Sequence, residues 1–490
     1  MDKLTSKMSK RENTVIKFGT DGWRGIIAGD FTFDNVKLCA QATANYLLEN
    51  NTGEQPVVAV GYDTRFASDD FAKTTAGVMA GNGIQVVMSD STCATPALSH
   101  ATAARKARAG IMITASHNPP NWNGFKIKAP NGSSASPETI KKIEEIIMHT
   151  PPDREPLFSD FDQAVSSGLV TVADINSPYI ESLEQLVDAR NLRNSSLKVV
   201  FDGMYGSGSG YLGKILSGGN LGIIEINTGP NPAFPGIKQP EPIGHNLLKL
   251  SSTVRDIGAG IGLAADGDAD RLGVVDETGR YLNTLQVYAL LVLYLLECRG
   301  ERGAIVKTIT SSQMLDRLGE IYGVPVYEVP VGFKYVAPVM IEKNAMVGGE
   351  ESGGYGYRGH IPERDGILSG LYFLDYMVKT GKKPSQLIQL LYDKVGPHYF
   401  ERFDLEFAPE KKQEIFNRVK QSSPATITGR RVIRRDDFDG IRFLMENRSW
   451  LLIRFSGTEP LLRLYAEAES PASVAELLQE GKALAGMQGD

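Results

Sequence analysis

Val57-Val-Ala-Val-Gly61, a polar stretch from Tyr62 to Asp70, a helix-like segment and then Gly83-Ile-Gln-Val-Val87 form the first of three matching passages. Lys198-Val-Val-Phe201 leads through Asp202-Gly-Met-Tyr-Gly206 and a helical segment to Gly222-Ile-Ile-Glu-Ile226. Ala304-Ile-Val-Lys307 leads through Thr308 to Ser312 and another helix to Gly323-Val-Pro-Val-Tyr327. Each reads as strand, polar loop, helix and glycine-led strand. That is the order of a right-handed βαβ unit, in which parallel strands need a crossover connection. The strands are apolar with little alternation, as a sheet covered on both faces requires. The fold class is therefore α/β, with three similar domains in tandem.

The final ninety or so residues follow another pattern. Arg431-Val-Ile-Arg, Ile441-Arg-Phe-Leu-Met, Trp450-Leu-Leu-Ile-Arg-Phe and Leu461-Leu-Arg-Leu-Tyr read as successive short strands. A helix from Pro471 to Ala485 follows, with Ser470 as its cap and a proline at its first position. Strands in succession and then a helix indicate a small α+β domain. The expected domains are 1–190, 191–299, 300–396 and 397–490.

A chain of 490 residues exceeds what one hydrophobic core supports, so several domains are required. The net charge of −6 argues against nucleic acid or an anionic membrane as the main partner. Cys39, Cys93 and Cys298 are odd in number and widely spaced, which fits a reducing compartment better than a disulfide framework. The polar start MDKLTSKMSKREN has no apolar signal core, and the run Val287–Leu296 is too short to cross a bilayer. The expected location is the cytoplasm.

Four loops carry chemistry. Thr114-Ala-Ser-His-Asn-Pro-Pro-Asn-Trp-Asn-Gly124 follows a strand and holds the Ser116 hydroxyl on a rigid turn, with His117 beside it as acid/base or phosphate donor. No G-x-S-x-G elbow accompanies Ser116, which speaks against acyl transfer. Ala265-Asp-Gly-Asp-Ala-Asp-Arg271 brings Asp266, Asp268 and Asp270 toward one hard cation. Their mutual repulsion demands a metal or cationic side chains. An EF-hand is excluded: Arg271 stands where its glycine belongs, and a strand leads in.

Gly348-Gly-Glu-Glu-Ser-Gly-Gly-Tyr-Gly-Tyr357 lets backbone approach a ligand, and Glu350 and Ser352 can read hydroxyls. Arg454-Phe-Ser-Gly-Thr-Glu-Pro460 offers an arginine fork, the Ser456 and Thr458 hydroxyls and the amides around Gly457, a nest for phosphate. Lys126, Arg24, Arg271, Lys307 and Lys334 add cations in or near loops. Together these loops describe phosphoryl transfer on a sugar phosphate.

Thr114–Pro119, Asp266–Arg271, Gly349–Gly353 and Arg454–Pro460 resemble, in order and one per domain, the four signatures of the α-D-phosphohexomutases. Phe18-Gly-Thr-Asp-Gly-Trp-Arg-Gly25 resembles that family's N-terminal signature, and the likeness spans nearly the whole chain. The resemblance implies four domains around a central active-site cleft, the fourth closing over substrate, in an isomerase of the intramolecular phosphotransferase type. It implies that Ser116 is carried as phosphoserine and that Asp266, Asp268 and Asp270 hold Mg²⁺ with a phosphoserine oxygen. Glu350 and Ser352 would read the sugar, Lys307 would add charge on the substrate side, and Arg454, Ser456, Gly457 and Thr458 would grip the phosphate not being transferred. Arg24, Lys126 and Arg271 would offset charge at the transferring group, with Lys334 or His117 as acid/base.

A grip on a second phosphate separates a mutase from one-way transfer. Gly349-Glu-Glu-Ser-Gly-Gly departs from the mannose-type and glucosamine-type loops and, with Gly332-Phe-Lys334, is similar to the phosphoglucomutase type. The implied reaction interconverts glucose 1-phosphate and glucose 6-phosphate through glucose 1,6-bisphosphate, which also serves as activator. The same motifs fit a phosphomannomutase, or a glucose-1,6-bisphosphate synthase drawing on fructose 1,6-bisphosphate or another donor. A sugar-phosphate-binding regulator without turnover is the reading outside enzymes. Partners are small sugar phosphates, for a monomer or a dimer alike.

Overall fold

The computed structural model describes residues 16–487, apart from 20, 52, 54, 152 and 456–460. The first sheet contains β1 (Trp23–Ile26), β2 (Val57–Tyr62), β3 (Gln85–Ser89), β4 (Ala109–Ile113), β5 (Trp122–Lys128) and β6 (Val170–Ala173), in the order β1-β5-β4-β2-β3-β6. The second contains β7 (Lys198–Asp202), β8 (Gly222–Ile226), β9 (Ile261–Ala265), β10 (Leu272–Asp276) and β11 (Tyr281–Leu282), in the order β11-β10-β9-β7-β8. The third contains β12 (Ile305–Thr308), β13 (Val326–Val329), β14 (Val347–Gly349) and β15 (Tyr355–Tyr357), in the order β13-β12-β14-β15.

The three recurring passages are parallel pairs joined by a helix: β2 with β3, β7 with β8, and β12 with β13. Gly83 and Gly323, which follow their helices, have φ of +74° and +65°. Side chains rarely adopt that left-handed region, so these two passages need a glycine to turn back into the strand. On the other side of the first strand, each sheet adds a parallel strand and then an antiparallel neighbour: β4–β5, β9–β10 and β14–β15. The last paired positions before the turns are Ile113 with Phe125, Ala265 with Leu272 and Gly349 with Tyr355. Three of the four chemical loops are therefore the same structural turn.

The fourth sheet is antiparallel throughout. It contains β16 (Tyr399–Glu406), β17 (Thr426–Ile427), β18 (Arg430–Asp436), β19 (Ile441–Met445), β20 (Trp450–Phe455) and β21 (Leu461–Ala468), in the order β16-β21-β20-β19-β18-β17. The helix Pro471–Ala485 packs on it, and Ser470 accepts from Ser473 N at 3.1 Å as the expected cap. β16 and the helix Lys412–Gln421 were absent from the sequence reading.

One continuous core runs from Leu98 and Met112 through Tyr179, Phe201 and Leu263 to Tyr357 and Phe373, joining the first three domains. The apolar run Val287–Leu296 lies at its centre, in the helix Thr284–Glu297, whose residues are buried from Thr284 to Leu296. A capping box of Asn283 and Gln286 starts that helix. The fourth domain has a separate core around Phe443, Leu451, Leu464 and Leu477. No helix among the described residues is long and apolar enough to cross a membrane.

Candidate active site

Ser116 sits in the β4–β5 turn with φ +52° and 1% exposure. A side chain in this region is strained by about 1–3 kcal/mol, so its surroundings must impose it. Thr114 Oγ1 accepts from Ser116 N at 2.9 Å and donates to Asp63 at 2.5 Å. Ser116 Oγ donates to Asp266 Oδ2 at 2.8 Å and lies 3.3 Å from His117 Nδ1. Burial, with the charges of Arg271, Arg24, Lys126 and Arg65, holds His117 well below the usual imidazole range.

Asp266, Asp268 and Asp270 converge: one oxygen from each lies within 4.8 Å of the others, and all three side chains are fully buried. Burial and the neighbouring Asp270 and Asp268 push Asp266 well above the carboxylate range. Asp266 Oδ1 accepts from Asp270 N and Arg271 N at 3.0 and 3.1 Å, which pins the turn. Asp268 Oδ2 accepts from Thr95 at 2.5 Å and Lys126 at 2.8 Å, and Asp270 Oδ2 accepts from Arg364 at 2.6 Å. Asp268 Oδ1 and Asp270 Oδ1 remain buried without hydrogen-bond partners. Orphaned carboxylate oxygens this close fit a hard divalent cation, which would cancel the repulsion.

Fixed cations surround this pair of turns. Lys126 lies 2.7 Å from Asp21, 2.8 Å from Asp268 and 3.6 Å from Asp270. Burial alone would lower its pKa, but those three carboxylates outweigh it and keep the ammonium charged. Arg24 Nη1 donates to Asn118 at 2.5 Å, and Arg271 Nη1 donates to Glu241 at 3.1 Å. Glu350 is buried, which raises its pKa against the pull of Arg364, 3.3 Å away. The buried Ser352 hydroxyl has no hydrogen-bond partner among the described residues, which leaves it for a ligand.

Several residues of this cluster escaped the sequence reading. Arg364 joins three domains by donating to Asp21 at 2.9 Å, Asp270 at 2.6 Å and Glu350 at 3.3 Å. Asp21 lay inside the quoted Phe18–Gly25 stretch, yet no local spacing marks it as a partner for Lys126 and Arg364. Arg364 carried one signal, charged residues at 363–365 leading into an apolar helix. Asp63 and Arg65 lay in the polar stretch after β2.

Other expected residues stand apart. Lys307 is buried but committed elsewhere: it pairs with Asp316, with Glu328 at 3.5 Å and with Ser312 O at 3.2 Å, at the seam with the fourth domain. Lys334, half-buried on the first turn of the helix Phe333–Glu342, has no ion-pair partner among the described residues. Arg454 Nε donates to Asp439 at 2.8 Å. Ser456, Gly457 and Thr458 lie outside the described residues.

Cations from separate domains converge on a hydroxyl and three carboxylates, an arrangement that stabilises charge on a phosphoryl group moving between oxygens. Phosphotransferases are the class that fold and site define. Four sequence matches run along the chain under the heading phosphoglucomutase/phosphomannomutase: alpha/beta/alpha domain I over 15–153, domain II over 177–279, domain III over 283–395 and the C-terminal domain over 407–482. A Thermococcus kodakarensis protein named phosphoglucomutase/phosphomannomutase is 32% identical over 466 residues, covering 95% of this chain and 97% of its own. A Methanopyrus kandleri protein assigned as a phosphoglucosamine mutase is 31% identical, covering 94% and 96%. A Thermus thermophilus crystal structure, assigned as a phosphomannomutase, superposes with a TM-score of 0.84 at 35% identity, covering 96% of this chain and 99% of its own. The chain belongs to the phosphoglucomutase/phosphomannomutase family, and so to the intramolecular phosphotransferases.

Proposed function

We propose that the enzyme is a phosphoglucomutase that interconverts glucose 1-phosphate and glucose 6-phosphate, with Ser116 as the phosphoryl carrier. The observation that carries this reading is the β14–β15 turn, Glu350-Glu-Ser352, with its unpartnered Ser352 hydroxyl and buried Glu350 beside Arg364. Asp266, Asp268 and Asp270 would hold Mg²⁺, which supplies charge neutralisation at the transferring group when bound.

Phosphorylated Ser116 gives its phosphoryl to the free hydroxyl of the hexose monophosphate. The P–Oγ bond breaks as the bond to the sugar oxygen forms, and that hydroxyl gives up its proton. Lys334, with no ion-pair partner among the described residues, is the acid/base on the substrate side, with His117 as the other candidate. The resulting glucose 1,6-bisphosphate turns over in the cleft and returns its other phosphoryl to Ser116. Arg24, Lys126 and Arg271 offset charge during both transfers, while Arg454 with Ser456, Gly457 and Thr458 would hold the idle phosphate. Positioning and charge carry most of such a reaction.

The relatives' names include phosphomannomutase and phosphoglucosamine mutase, so the hexose is the point to test. Turnover of glucose 1-phosphate, mannose 1-phosphate and glucosamine 1-phosphate is compared with Mg²⁺ and a trace of glucose 1,6-bisphosphate. Glucose 1-phosphate is expected to lead; preference for either other sugar overturns the assignment. Net formation of glucose 1,6-bisphosphate from fructose 1,6-bisphosphate and glucose 6-phosphate, without fast isomerisation, would identify a synthase instead.

A further inference from the structure

Arg65 stands in the loop three residues past the end of β2, 3% exposed, with its guanidinium turned under the Ser116 turn. Nη2 donates to Ser116 O and Asn118 O, each at 2.6 Å. Nη1 donates to Pro119 O at 2.8 Å and Trp122 O at 3.0 Å. Nε lies 3.2 Å from Asp63 Oδ2, and that carboxylate also accepts from Thr114 Oγ1. The four amino protons of one side chain are thus spent on four carbonyls of one loop. No amino proton is left for a phosphate, and the one donor without a hydrogen bond, Nε, lies on the Asp63 side.

The loop is pressed from the opposite side as well. A Cβ on Gly267, in the carboxylate turn, would collide with Ser116 O. The peptide after Ser116 is clamped between the Arg65 fork and the Gly267 backbone, which explains how a serine keeps φ at +52°. The Arg65 guanidinium also faces the Phe234 ring of the second domain, 5.1 Å from its centroid.

We infer that Arg65 is a positioning residue for phosphoryl transfer: its planar fork fixes the backbone that aims the Ser116 oxygen, rather than supplying charge to substrate. This inference rests on the reading of Ser116 as phosphoryl carrier. Lysine cannot replace it, since an ammonium is a compact donor without the fork that spans four carbonyls.

The test uses the full chain with Arg65→Lys, and Arg65→Gln as second variant. Incubation with glucose 1,6-bisphosphate followed by intact-mass measurement counts the chains that take up one phosphate. Isomerisation of glucose 1-phosphate is then expressed per competent chain. The expected result for Arg65→Lys is turnover per competent chain lowered about 100-fold, the scale of a misplacement near 1 Å, with KM nearly unchanged. A residue that served the fold alone would lower the competent fraction and leave turnover per competent chain intact, which overturns the inference. Near wild-type turnover in Arg65→Lys would show that charge suffices, with the same consequence. If neither variant yields folded protein, Arg65 is a fold residue and the inference falls. If the wild-type chain gains no phosphate that Ser116→Ala abolishes, the carrier reading itself fails, distinctly from the Arg65 outcomes.

Discussion

The first three domains and the fourth are built into the molecule by different means. Sheets one to three share a continuous apolar core, with the helix Thr284–Glu297 buried inside it. The fourth domain keeps its own core and meets the third through a small apolar cluster of Ile309, Leu444, Trp450, Leu452 and Tyr465. Polar contacts frame that cluster. Arg442, fully buried, donates to Glu328 at 2.5 and 2.6 Å, to Asp436 at 2.6 Å and to Ile309 O at 3.2 Å. Asp439 accepts from Val331 N at 2.7 Å, and Glu467 accepts from Gln313 N at 2.9 Å. Apolar fusion fixes the Ser116, carboxylate and β14–β15 turns relative to one another. A seam of hydrogen bonds and ion pairs sets the fourth domain beside them without merging the cores, and such seams resemble transient interfaces.

Four outcomes would break or sharpen this contrast. The largest effect falls inside the fused part. Ser116→Ala is expected to lower turnover at least about 1,000-fold, equivalent to some 4 kcal/mol of barrier, while leaving the thermal transition in place. Retained turnover in coupled assays would remove the chemistry from the β4–β5 turn.

Chelation comes next. Stripping divalent cations is expected to abolish turnover and also lower the melting temperature of the fused part, because a ligand bound only by the folded state stabilises it. Mg²⁺ should restore both. A melting temperature indifferent to Mg²⁺ would argue that Lys126 and Arg364 alone balance the three carboxylates.

The seam should respond separately. Arg442→Met removes the buried cation shared by Glu328 and Asp436 and leaves them the more exposed Arg434, with Lys307 also beside Glu328, a loss of at most about 3 kcal/mol. Calorimetry is expected to show the fourth domain unfolding ahead of the rest. A single unshifted transition would mean that the apolar cluster, not the ion pairs, holds it.

The smallest effect is acid sensitivity at Glu467. Burial would raise this carboxyl, but the hydrogen bond and charge of His398, with Ser312 and Gln313 N, outweigh it and hold the pKa below the usual range. A depressed folded value stabilises the folded state fully above the ordinary glutamate pKa of about 4.3 and loses that contribution as pH falls through the lowered value. Glu467→Gln should flatten this acid limb of the melting profile. An unchanged slope would assign the limb to other carboxylates.

The contrast also separates what the sequence made legible from what it did not. The βαβ passages repeat locally, so strand order around each crossover could be read from apolar runs and glycines. The carboxylate trio was legible because its members alternate within five residues. Asp21 and Arg364 lie 343 positions apart, and only the packing of the first domain against the third brings them together. β16 escaped because charges alternate through Tyr399–Glu406 and most of its side chains are exposed, as on an edge strand pairing only with β21. Lys307 reads as a free cation at the end of a strand. Its acidic partners Asp316 and Glu328 lie beyond the loop, so their claim on it appears only in three dimensions.

The β14–β15 turn carries a consequence for how such an enzyme changes its diet. Its anchors resist substitution: a Cβ on Gly349 would meet Tyr355 at 2.7 Å and Tyr288 at 2.9 Å. Between those anchors Gly353 and Gly354 are hemmed in as well, by Thr284 and Arg364, which leaves the three residues 350–352. With the turn reading the sugar as proposed, substitution at those three positions would change hexose preference while the strands on either side keep their register. The Ser116 turn has no comparable freedom, since Arg65 claims four of its carbonyls and Gly267 blocks its other side. Lineages sharing this scaffold would then diverge in which sugar they accept long before they diverge in how the phosphoryl group is carried.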